Sequence, residues 1–180
     1  MNANDSDLSV LFLDFSRQKL LGQYWPRLRQ CVEPLAPEQV WWRPNDASNS
    51  IGNLVLHLNG NVRQWLVDSF TRTESKRDRP AEFNERDLIP ASALLEKLGA
   101  TMTEAAAVLD RLAAGDLLAP YEIQGYRIHG LDAVYQVVEH FGLHYGQIAY
   151  ITKLLQDRDL GFYSELKKTG RLEQSSSATP

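Results

Sequence analysis

The chain has 180 residues, 43% hydrophobic and 23% charged, with a formal net charge of −4, which suits one substantial core and is short for two. Acidic and basic residues are interspersed, so no broad basic surface offers itself to nucleic acid, and the single Cys31 excludes an intrachain disulfide and a zinc-thiolate cluster. The acidic opening through Asp5 and Asp7 is unlike an export signal and no apolar run is long enough to span a bilayer, so the expectation is a cytoplasmic protein with no membrane segment.

Asp5, Ser6 and Asp7 offer helix-capping oxygens, and Leu8, Leu11, Phe12, Phe15, Leu21, Tyr24 and Leu28 recur at three and four, predicting a long first helix. Pro26 removes a backbone donor and predicts a kink or break near Trp25. Pro34 and Pro37 bracket a loop, followed by a short turn over Glu38 to Pro44. The cluster Asp46-Ala47-Ser48-Asn49-Ser50 is a helix start, and Ile51, Leu54, Val55, Leu58, Val62, Leu66 and Phe70 trace the second helix. His57 falls at the edge of that stripe, with Asn53, Asn61 and Gln64 on the same side.

Residues 71–90 are densely charged, too polar to bury and too long for a tight connection, and read as a surface loop: a solvated crossover in preference to a lid. From Ser92, the spacing of Leu95, Leu98, Met102, Ala105, Leu109 and Leu112 predicts a third helix, with Gly115 as its stop. Tyr121 to Gly130 alternates in polarity around Gln124-Gly125, an extended or hairpin-like segment. Leu131 to about Leu155 forms the fourth helix, with Val134, Val138, Phe141, Ile148, Ile151 and Leu155 as core candidates. Residues 170–180 lack the means to bury themselves and read as a disordered tail. The sum is an all-α four-helix bundle with long crossovers, one domain over residues 1–169.

His140 and His144, four residues apart on the fourth helix, face the same way, and Gln147 follows on nearly the same azimuth. His57 becomes a third ligand if the second and fourth helices are neighbours. Three neutral imidazoles without a thiolate leave coordination positions for water or substrate, the pattern of a catalytic site. A divalent ion there lowers the pKa of a bound water or thiol, or polarises a carbonyl, so metal-assisted hydrolysis and thiolate transfer are the natural chemistries. Gln147 and Asn61 are placed to orient a ligand or the bound water. On spacing alone the histidine pair is equally compatible with hydrogen-bonded core imidazoles. No glutamate follows His140 as in a zinc protease; Glu139 precedes it instead. His129 reads as a surface residue, Trp41, Trp42 and Trp65 as core or interface aromatics, and Arg43 and Asp46 as capping or surface groups.

Across residues 7–156, Trp42-Arg43-Pro44, the run Ser50-Ile51-Gly52-Asn53-Leu54-Val55-Leu56-His57-Leu58, and the ending His140-x-x-x-His144-Tyr145-Gly146-Gln147-Ile148 carry a resemblance. The chain resembles the DinB-like, or YfiT-like, superfamily of metal-dependent enzymes. That resemblance implies an up-down-down-up bundle and a divalent ion held by His57, His140 and His144; nitrogen ligands alone do not choose among zinc, nickel, cobalt and iron, and zinc or nickel is the expectation. It also implies a small-molecule substrate, with low-molecular-weight thiols in view because the superfamily includes thiol-dependent S-transferases and a mycothiol-dependent isomerase. Bundles of this type often pair through helix faces, which makes a homodimer an expectation. The alternative is a non-catalytic, metal-binding or stress-related dimeric bundle with no open coordination position.

Overall fold

The structure, a computed structural model, describes residues 3–164. The expected tail at 170–180 lies outside the described residues, as does the end of the expected domain at 169. Four long helical runs carry the fold, joined by short helices and one hairpin.

The first run is α1 (Ala3–Arg17), a π-helical stretch Gln18–Tyr24, and α2 (Trp25–Val32). The break predicted at Pro26 is absent. A proline ring in a regular α-helix presses on the carbonyl four residues back, here that of Gly22. Instead the helix widens just before it, and Trp25 N–H donates to the Leu20 carbonyl five residues earlier, so the chain remains helical through a wide turn. A single-turn helix, α3 (Pro37–Val40), follows.

The second run, α4 (Ile51–Val62), opens on a reciprocal cap: Ser50 Oγ accepts from Asn53 N–H at 3.1 Å and Asn53 Oδ1 accepts from Ser50 N–H at 3.3 Å. It continues through a π-helical stretch Arg63–Asp68 into α5 (Ser69–Thr71), and Arg72, at φ 55, ends it. Almost every α4 side chain is buried, because the helix lies centrally against its neighbours. Gly52 is required by that packing. A Cβ there would lie 2.7 Å from the Trp41 indole carbons, and the indole is fixed by donating to the Ile89 carbonyl at 2.9 Å. Gly52→Ala is therefore expected to lower the urea-unfolding free energy by about 1–3 kcal/mol through overpacking, even though alanine is the better helix former. Undiminished stability, with a tryptophan emission spectrum, summed over the four tryptophans, unchanged from wild type, would contradict it.

Within 71–90 the chain forms α6 (Arg79–Asn84), started by Asp78, whose carboxylate accepts from Ala81 N–H at 3.1 Å. The third run, α7 (Ala91–Leu109), stops six residues before the predicted stop at Gly115. Asp116 accepts from Ala113 N–H at 2.9 Å and so opens a new short helix, α8 (Ala114–Leu118), with Gly115 inside it. The predicted hairpin is present: β1 (Pro120–Ile123) pairs antiparallel with β2 (Tyr126–His129). Its two turn residues, Gln124 at φ 53 and Gly125 at φ 80, are both left-handed, as a two-residue turn matching strand twist requires.

The fourth run is α9 (Gly130–Gln156), packed on α2, α4 and α8. Val134, Phe141 and Ile148 are buried as predicted, while Val138, Ile151 and Leu155 are only half-buried and Ala133, Val137 and Thr152 take inner positions. Among the described residues no helix is long and apolar enough to cross a membrane.

Candidate metal centre

The packing of α4 on α9 supplies the adjacency that the three histidines needed. One ligating nitrogen from each of His57, His140 and His144 falls within 4.8 Å of the others. His57 Nε2 faces His140 Nε2 at 2.8 Å, and the His140 and His144 rings are 4.4 Å apart at their centroids. Tetrahedral nitrogen ligands on bonds of about 2.0–2.1 Å sit about 3.3 Å apart, a spacing that the observed values bracket. The residues present therefore fit a divalent ion. His129 stays out of the cluster, exposed at the start of α9.

The segment read as a solvated crossover reaches into this centre. Glu82 and Arg77 side chains are only 10% and 5% exposed, which corrects the expectation that the segment is too polar to bury. Polarity is tolerated because each charge is answered. Arg77 Nε and Nη2 donate to the two Glu82 oxygens at 2.7 and 2.9 Å, a two-pronged ion pair. Glu82 Oε2 lies 2.9 Å from His57 Nδ1. Asn53 Nδ2 donates to the Glu82 and Glu85 carbonyls at 2.9 and 3.2 Å, binding α6 to α4. Gly60 makes room: a Cβ there would collide with Glu82 Oε1 and lie 2.7 Å from Arg77 Nε. The sequence carried two faint signals of this arrangement, a glycine inside a buried helix and the helix start Asp78-Arg79-Pro80.

The electrostatics select one state of each ring. The Glu82 carboxylate only accepts, so His57 carries its proton on Nδ1 and keeps the Nε2 lone pair facing His140; Arg77 Nη2, 3.1 Å from the same Nδ1, donates to Glu82 Oε2 instead. Burial pushes the Glu82 carboxyl up, but the bonds from Arg77 and His57 outweigh it and hold the group below the usual carboxylate range. His144 Nδ1 lies 2.7 Å from Gln147 Oε1; the amide oxygen accepts, leaving His144 Nε2 free. Burial, then charge repulsion involving His144, His57, Arg77 and Arg79, lowers His140 to about 4. His144 is lowered too, by burial, with Gln147 partly opposing. Both imidazoles are thus neutral near pH 7. Asn61, one turn along α4 from His57, is 3% exposed, and its Oδ1 has no partner among the described residues.

A pH dependence follows for the metal-free chain. His140 protonates near pH 4 when folded but near 6.5 when unfolded, so between those values the unfolded state binds more protons. The stability is present above about pH 6.5 and is lost as the pH falls towards 4. Urea midpoints are expected to drop between pH 7 and pH 5, with a shallower drop in His140→Ala; equal slopes would refute the assignment.

A family model described as "Protein of unknown function (DUF1572)" matches residues 7–167. The fold is similar to the crystal structure of a DinB-like protein from Bacillus cereus ATCC 10987, with a TM-score of 0.60 and 12% sequence identity over 75% of this chain and 87% of that one. No curated protein matches the sequence. The likeness makes the fold DinB-like, in agreement with the resemblance read from the sequence.

Proposed function

The chain belongs to the DUF1572 family, and from that premise we propose that it is a cytoplasmic metal-dependent enzyme that binds zinc or nickel through His57, His140 and His144 and acts on a small molecule. The observation that carries this reading is the convergence of three imidazole nitrogens within 4.8 Å. A divalent ion bound there supplies a Lewis acid that lowers the pKa of a bound water or thiol, or polarises a carbonyl. Three protein ligands leave a position for a substrate group, which favours catalysis over a closed structural site.

The remaining residues have definite tasks in this reading. Glu82 fixes the tautomer of His57 and Arg77 holds Glu82 in place. Gln147 orients His144 through its amide oxygen. Asn61, one turn from His57 and with its buried Oδ1 unpartnered among the described residues, offers its amide to a polar group of the substrate. The reaction classes are hydrolysis and transfer of a low-molecular-weight thiol. Elemental analysis of the native protein, followed by a screen of glutathione, bacillithiol and mycothiol with an electrophilic acceptor, tests it. Stoichiometric metal and turnover abolished by chelator are expected; a fully folded native protein devoid of metal would overturn the reading.

The exposed α1 residues Leu8, Leu11 and Phe15, spaced at three and four, support a homodimer. A monomer at working concentration in the ultracentrifuge would remove it.

A further inference from the structure

Asp68 ends the π-helical stretch that continues α4 and is only 7% exposed. Its carboxylate makes no hydrogen bond or ion pair among the described residues. Arg63 pairs with Glu104 and donates to Thr101 Oγ1 at 3.3 Å, and feels Asp68 only through longer-range attraction. A carboxylate on a side chain with so little access to solvent gains from pairing with a cation.

The little surface Asp68 retains faces two clefts, of about 610 and 400 Å³, both of which it lines. Ser75 also lines both, and its Oγ is buried without a partner among the described residues. The larger cleft has apolar walls from Leu56, Ala81, Ile89 and Ala100 and falls in the size range of small-molecule sites; of the cations on its lining, Arg63 and Arg77 are already paired with Glu104 and Glu82, and Lys76 and Lys97 are exposed. It lies against the Arg77–Glu82 pair, and the three histidines do not line it.

We propose that the cleft pair sharing Asp68 and Ser75 binds a small organic cation, an ammonium group on an apolar body, with Asp68 as its anchor. An ammonium carries three donors and no acceptor, which suits a carboxylate and a hydroxyl oxygen. A hard divalent cation demands about six oxygens, and Asp68 belongs to no metal-type cluster among the described residues. The apolar walls suit the hydrocarbon part of the same ligand.

The test is calorimetric titration of the full chain with n-hexylammonium chloride, with chelator present so that the outcome is independent of the metal reading. Saturable binding is expected, at least tenfold weaker in Asp68→Asn, with 1-hexanol, hexanoate and sodium chloride failing to compete at equal concentration. Absence of saturable binding, equal binding by 1-hexanol, displacement by sodium, or undiminished affinity in Asp68→Asn would each overturn the proposal. Should Asp68→Asn fail to fold, the comparison of hexylammonium with hexanol on the wild-type chain still decides.

Discussion

His144→Ala is expected to leave the purified chain without stoichiometric metal while its helical circular dichroism stays unchanged. The side chain is half-buried on α9 and its one hydrogen bond runs to exposed Gln147, so little packing is lost. What is lost is one of three converging nitrogens. Two imidazoles from different helices cannot hold an exchangeable ion as three do, and the effect should exceed the roughly 10–100-fold loss of affinity typical of removing a group that only orients a ligand. Glu82→Gln supplies that comparison, because the amide retains the shape but not the charge that fixes His57. Elemental analysis of both variants checks the order. Full occupancy in His144→Ala would sink the ligand assignment.

Arg77→Ala should be the most destabilising single change in the charged segment. Glu82 would keep its charge in a site 10% exposed, with His57 as its remaining side-chain partner. Breaking a buried ion pair from one side costs about 3–5 kcal/mol, whereas replacing both partners by apolar residues of similar volume is often neutral. For a chain of this size that loss lowers the melting temperature by roughly 6–20 °C. Thermal unfolding of Arg77→Ala beside the double variant Arg77→Met/Glu82→Met measures both halves of the argument. A single-variant loss below about 1 kcal/mol would mean that the pair is solvated in solution.

The two clusters differ in how much of them could be read without coordinates. His140 and His144 are separated by one turn, so helical periodicity puts them together whatever else the chain does. The hairpin at Gln124-Gly125 is similarly local, since a two-residue turn needs left-handed backbone and the sequence supplies a residue pair that accepts it. Glu82 gave no such signal. It reaches His57 across 25 residues and is one of several carboxylates in the segment, and its burial depends on Arg77 arriving at the same place. Charge density alone argued for solvent, and that inference fails wherever opposite charges pair inside. The break expected as one outcome at Pro26 is absent for a related reason: the rule that proline breaks a helix assumes α geometry on both sides, and here a π-helical stretch precedes it.

By itself, then, the sequence determined the four long helices, the start of α4 at Ser50, the hairpin, and the shared face of His140 and His144. All of these follow from periodicity and capping within a few residues. Only the tertiary structure decided that α4 and α9 touch at the height of His57, that Arg77 and Glu82 are buried behind it, and that Asp68, unpaired among the described residues, lines two clefts at once. Those outcomes depend on contacts between segments far apart in the chain, His57 and His140 being 83 residues apart, and no local propensity encodes which of many distant side chains will be brought to meet.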